Sequence, residues 1–285
     1  WGSYRLIVKV FKWLTLSLFA YVIAAFLARP DWSEVARATF FPQVRFTGDY
    51  VTTLVAILGT TISPYLFFWE ASEEVEEEKS EGRARLTQRL GATDDEIRRE
   101  KVDTVVGMLF CNVVFYFVIL AAGATLHVSG KTDIQSATDA AQALRPLAGN
   151  LATVLFAVGL IGAGLLAVPV LTGSAAYAVA ETFGWPSGLD EKPRHAAKFY
   201  AVIAVSTLVG VLIDFVGINP IKALFWAAVI NGVVAPPLLV IVMLVANNKR
   251  VMGKRTNGPV TNIIGWLAVA VMFAAAIAMF VLWGS

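Results

Sequence analysis

Charge is scarce in this sequence, histidine scarcer, and cysteine occurs once. Asp, Glu, Lys and Arg make up only 15% of 285 residues, against about 25% in soluble domains. A net charge of +2 provides no basic surface for nucleic acid. The lone Cys111 excludes an intramolecular disulfide and any CxxC metal or redox site. Lying inside an apolar run, it reads as a small buried hydrophobe. His127 and His195 fall at span ends or in connectors, with no metal-ligand spacing between them. No soluble repeat, low-complexity tract or pair of catalytic side chains is present, so the chain does not read as an enzyme.

What is abundant is apolar. Hydrophobic residues fill 57% of the chain and come in runs of about twenty, enough to cross about 30 Å of hydrocarbon at 1.5 Å per residue. The pattern predicts an all-α polytopic membrane protein, one transmembrane domain over residues 1–285, with spans near 6–28, 50–74, 102–127, 151–183, 197–216, 221–245 and 260–283. Breakers separate them, among them Arg29-Pro30-Asp31, Gly91, Asn219-Pro220 and Asn257-Gly258-Pro259. The connector 76–101 is densely charged and reads as a solvated cytoplasmic face.

Basic residues set the orientation. With the first residues of the chain inside, 17 Lys and Arg fall in inner segments and six in outer ones. The positive-inside rule therefore predicts a cytoplasmic N-terminus and an outside C-terminus for an odd number of spans. The sequence starts at Trp1, with no signal-peptide shape. We expect further spans to precede it in a longer protein.

The second span carries the chemistry. Gly59-Thr60-Thr61-Ile62-Ser63-Pro64-Tyr65 puts hydroxyls and a proline near its middle. Proline removes a backbone donor and biases the residue before it away from helix. Freed carbonyls are tolerated in hydrocarbon only where protein, water or an ion satisfies them, and secondary transporters use such breaks to coordinate cations. A plain proline kink with Ser/Thr back-bonding is the simpler alternative. Past the break, Glu70, Glu73, Glu74 and Glu77 follow at i, i+3, i+4 and i+7. Glu70 lies six residues beyond Pro64, about 9 Å along the axis and inside a half-thickness of about 15 Å. A carboxylate at that depth is a functional candidate, and the stripe reads as an acidic inner vestibule or proton route. Glu76 to Glu78 read as ordinary helix-end solvation. Asn231, a mid-span amide beside Pro236-Pro237, is either a ligand or an interhelical hydrogen-bonding group. Gly159, Gly162 and Gly164 read as close-packing positions.

The stretch from Gly59 through Trp69-Glu70-Ala71-Ser72-Glu73-Glu74-Val75 resembles the sixth helix of the Nramp (natural resistance-associated macrophage protein) divalent metal transporters, especially their bacterial Nramp-related branch. Gly159 to Gly164 through Leu171-Thr172-Gly173-Ser174-Ala175-Ala176-Tyr177 is similar to the eighth helix of that family. The resemblance implies helices five to eleven of an inverted five-plus-five repeat, carrying Mn²⁺, Mg²⁺ or Fe²⁺ by alternating access, commonly as proton symport, in a bacterial inner membrane. On that alignment Thr60 offers a metal-binding carbonyl, Ser63 stands at the methionine ligand, Tyr65 at one histidine and Glu70 at another. Replacing a thioether by a hydroxyl makes the site harder. Asn231 falls in the tenth helix, where it would complete the shell. The Asp-Pro-Gly-Asn motif of the first helix does not occur in these residues. The implied partners are the transported divalent cation, protons and the lipid bilayer, with no tightly bound cofactor. The competing reading is an amino-acid or other organic-solute transporter of the same fold.

Overall fold

The computed structural model describes residues 11–83, 85–124, 134 and 136–283. Among these it contains helices and connectors and no strand. After a 3-10 turn at Thr15–Leu18 come α1 (Phe19–Leu27), α2 (Trp32–Phe40), α3 (Gly48–Thr61), α4 (Pro64–Ser80), α5 (Asp94–Ala122), α6 (Ala137–Thr182), α7 (Ala197–Phe215), α8 (Pro220–Ala246), α9 (Lys249–Met252) and α10 (Pro259–Val281). Arg5, Lys9, His127 and Lys131 lie outside the described residues.

Local chemistry places the helix starts. Thr93 caps α5 by accepting from the Glu96 N–H at 3.2 Å, while the Glu96 carboxylate accepts from the Thr93 N–H at 2.6 Å. This reciprocal pairing satisfies two end donors, with Asp94, Asp95 and Glu96 in the first turn against the helix dipole. Thr47 caps α3 from the Tyr50 N–H, and Pro259 opens α10 where its missing N–H costs nothing.

Five helical runs are long and apolar enough to cross a membrane: α3 with α4, α5, residues 157–182 of α6, α8 and α10. The run of residues 11–27 and α2, bent by 114° at its break, makes a sixth if taken as one span. In α7 the apolar stretch is the shorter Ala197–Ile213. These runs bury only 11–33% of their most apolar windows within the protein. Ile263, Leu267, Val271 and Phe280 of α10 are all more than half exposed. A soluble chain does not present apolar surface on that scale, so the chain is a multi-pass membrane protein with exposed apolar faces. Cys111 is exposed on one such face and is not the buried hydrophobe that its apolar surroundings predict. Its helix is apolar on all sides, so the sequence does not reveal which side is covered.

The chain divides into two compact units. One comprises residues 1–36 and 68–219, the other 37–67 and 220–285. In the first, α6 packs on α1 and α7. A Cβ at Gly159 would touch the Tyr21 ring at 2.9 Å, and one at Gly162 would run into Ser17, so both glycines permit close packing. Gly164 faces open space and does not. Ala176, Tyr177, Ala180, Ala196 and Phe199 form the core where α6 meets α7. In the second unit α3 packs on α8 and α10 around Val51, Val55, Ala56, Ala228, Val229 and Met279. A Cβ at Gly59 would fall within the backbone of Ala228 and Gly232, and one at Gly232 would meet the Val55 carbonyl. The α3–α8 crossing is therefore a contact of backbone on backbone.

Candidate functional site

In the second unit the helix stops for two residues. α3 ends at Thr61, Ile62 leaves helical geometry (φ −115°, ψ 79°), and α4 begins at Pro64. Pro64 has no N–H to give the Thr60 carbonyl, which accepts instead from the Ser63 hydroxyl at 3.2 Å. The same hydroxyl lies 2.6 Å from the Gly59 carbonyl. Thr60 and Thr61 both donate to the Ile57 carbonyl, at 2.8 and 2.9 Å. Ser63 is 1% exposed, Pro64 is buried, Tyr65 half-buried and Thr60 exposed.

This is the back-bonded arrangement named above as the simpler alternative, and it does not spoil the break as a site. Each hydroxyl spends its proton on a carbonyl and keeps oxygen lone pairs. A hydroxyl so polarised is an acceptor, which is what a hard cation requires. The α3–α8 crossing at Gly59 and Gly232 brings the adjacent residues, Thr60 and Asn231, to the same pair of turns. The Asn231 amide is half-buried and makes no hydrogen bond among the described residues. Asn112, by contrast, donates to its own helix at the Met108 carbonyl, 2.8 Å away.

The acidic residues belong to the first unit. Glu70, Glu73, Glu74 and Glu77 of α4 line one open cavity of about 860 Å³ together with Glu100 and Asp103 of α5. Lys12, Arg83, Arg98 and Arg99 also line it. No group of three or more His, Cys, Asp or Glu among the described residues is placed to share one metal ion. The cavity thus offers a negative field rather than a closed chelate. At its rim Arg83 bridges Glu78 (3.2 Å), Glu81 (2.7 Å) and Glu96 (3.0 Å), joining the end of α4 to the start of α5. The hydrogen bond to Glu81, then the Glu96 and Glu78 charges, hold this guanidinium above its usual pKa.

Glu76 departs from the reading of helix-end solvation. It is 3% exposed and pairs with Lys79 at 3.2 Å. It lies under the connector after α6, where a Cβ on Gly188 would meet its Oε1 at 2.9 Å. The Tyr177 hydroxyl accepts from the Leu189 N–H at 3.2 Å, and Tyr200 donates to the Leu189 and Glu191 carbonyls. The sequence holds one signal for this arrangement, Gly188 in Trp-Pro-Ser-Gly. It adopts φ +150°, a conformation that other residues rarely take.

The described residues make an all-α membrane chain in which one apolar span is interrupted at a proline. The chain belongs to the Nramp, or natural resistance-associated macrophage protein-like, family, whose model matches residues 1–282. It is similar to the divalent metal cation transporter MntH of Caldanaerobacter subterraneus subsp. tengcongensis, 25% identical over 261 residues, covering 92% of this chain and 58% of that protein. The MntH of Clostridium acetobutylicum is 26% identical over 254 residues, with 87% and 53% covered. That of Bacillus subtilis is 26% identical over 268 residues, with 92% and 57% covered. The chain therefore spans a little over half the length of these relatives.

Proposed function

We propose that the protein containing this chain is a secondary transporter of divalent metal cations, Mn²⁺, Mg²⁺ or Fe²⁺, working by alternating access around residues 60–65. Family membership supports the cargo class. The observation that carries the site is the break itself, where Thr60, Thr61 and Ser63 turn their protons onto carbonyls and keep their oxygens as acceptors. The Thr60 carbonyl, the Ser63 hydroxyl, Tyr65 and Asn231 supply neutral oxygen donors, and Pro64 keeps the helix from closing over them. Oxygen donors favour Mg²⁺ and Mn²⁺ over softer ions.

The remaining parts follow from charge. Glu70, Glu73 and Glu74 form an inner vestibule that raises the local cation concentration, and Glu70 is the carboxylate that carries a proton where transport is coupled. Basic residues put the beginning of the chain and the α8–α10 connector in the cytoplasm of a bacterial cell and the end of α10 outside. The test is uptake of Mn²⁺, Mg²⁺ and Fe²⁺ into proteoliposomes by the full-length protein, with lumenal pH followed in parallel. Ser63→Ala should raise the half-saturating concentration about tenfold, the equivalent of about 1.4 kcal/mol. Failure to transport any of the three ions contradicts the proposal.

A further inference from the structure

A second cavity, of about 430 Å³, lies in the unit of α3, α8 and α10, away from the break. It is lined by Asp49, Thr52 and Thr53 from the first turns of α3, Phe225 and Trp226 from α8, and Trp283 just past α10. The volume falls within the roughly 300–1,000 Å³ of small-molecule sites. Trp226 and Trp283 meet with ring centroids 5.7 Å apart and planes inclined by 40°, and Phe225 stands edge-on to Trp226. Both tryptophans are about half exposed. Paired with nothing else, these features would describe only a pair of interfacial anchors.

Asp49 changes that reading. Its carboxylate has neither a hydrogen bond nor an ion pair among the described residues. Thr53 donates its hydroxyl proton to the Asp49 carbonyl at 2.8 Å, and so presents an oxygen with free lone pairs. The cavity thus combines electron-rich ring faces with oxygen acceptors and one uncompensated negative charge. An anion is disfavoured, because a full carboxylate outweighs the roughly half charge at the α3 N-terminus. A metal ion lacks the several ligating side chains it needs, since the lining offers a single carboxylate and no His or Cys. An alkylammonium group suits all three features: its charge pairs with Asp49, its N–H groups reach the threonine oxygens, and its carbons lie on the indoles.

Position selects the molecule that carries the ammonium. The cavity sits at the N-terminal end of α8. The basic connector, with Lys249, Arg250, Lys254 and Arg255, sits at the other end of a 27-residue helix, about 40 Å long. That length spans the bilayer, so the cavity opens at a membrane–water boundary, where lipid headgroups lie. We infer that the Asp49–Trp226–Trp283 cavity binds the primary ammonium of an aminophospholipid headgroup.

The experiment is native mass spectrometry of the full-length protein in detergent, equilibrated with equimolar phosphatidylethanolamine and phosphatidylglycerol. The inference expects at least a fivefold excess of retained phosphatidylethanolamine, lost in Asp49→Asn and in Trp226→Ala. Adding soluble ethanolamine separates the sources. Displacement of the lipid at millimolar concentration assigns the site to the ammonium alone, and persistence assigns it to the ammonium on its amphiphile. Equal retention of the two lipids, or a preference that either variant leaves unchanged, overturns it. Asp49→Asn changes only an exposed side chain, so it remains informative if Trp226→Ala does not fold.

Discussion

The two halves of the broken span handle polar groups in opposite ways. From Thr60 to Ser63 the polar side chains are neutral hydroxyls, each bonded to a carbonyl one turn away. From Glu70 onward they are charged and line an open cavity. Desolvation explains the division. A buried hydroxyl needs one hydrogen bond, whereas an isolated buried carboxylate carries a penalty of several kcal/mol. Glu76 is the exception that keeps the rule, because it is buried and paired with Lys79. Neutral hydroxyls therefore stand at the proline break, and the charged carboxylates stand where an open cavity admits water.

The largest expected effect tests the packing beside the break. Gly59→Leu places a side chain inside the backbone of Ala228 and Gly232, a collision that no rotamer relieves. Overpacking of this kind costs upward of about 1–3 kcal/mol. We expect loss of monodisperse protein on size exclusion, while Gly164→Ala, facing open space, leaves the elution profile unchanged.

Next comes the exception. Lys79→Met leaves the Glu76 carboxylate buried and unpaired, which for a fully buried pair costs about 3–5 kcal/mol. Lys79 is 36% exposed, so solvent screening lowers the expectation to about 1–2 kcal/mol. Adding Glu76→Gln to Lys79→Met should restore much of the thermal stability. A double variant as unstable as Lys79→Met alone would show that the charge is not what matters.

Among the charged residues the effects are smaller and depend on solution conditions. Arg83→Ala should lower thermal stability at low ionic strength and have progressively less effect as salt screens the Glu78, Glu81 and Glu96 contacts. The folded-state pKa of Arg83 is raised, so its contribution is complete at every pH below the ordinary guanidinium range. A pH scan through neutrality should therefore not alter it. Asp31 has the opposite sign. The Ser33 hydroxyl, then the backbone N–H groups of Ser33 and Glu34, hold its carboxyl below the usual value. Its stabilisation of α2 is present above the unfolded-state pKa and is lost as pH falls through the lowered folded one. Asp31→Asn should remove that acid-side component from a melting profile, the smallest of these effects.

The class of fold was legible because membrane spans announce themselves by length and composition, and the break because Ser63-Pro64 lies inside such a span. The capping of α5 is written in Thr93 and Glu96. The burial of Glu76 was not legible. In sequence it is one of three consecutive glutamates, and what covers it is a connector more than a hundred residues away. The exposure of Cys111 escaped for a related reason, since a helix apolar on all sides carries no polar face to mark its orientation. The cavity at Trp226 and Trp283 joins three helix ends distant in the chain, and each tryptophan alone reads as an anchor.

The central claim is that neutral oxygens at the break bind the ion, and calorimetric titration of the full-length protein with Mn²⁺ and Cd²⁺ tests it most directly. The account predicts that Ser63→Ala weakens Mn²⁺ binding about tenfold, and that Ser63→Met shifts preference toward the softer Cd²⁺. Mn²⁺ and Cd²⁺ affinities that both substitutions leave unchanged would place the ion elsewhere and contradict it.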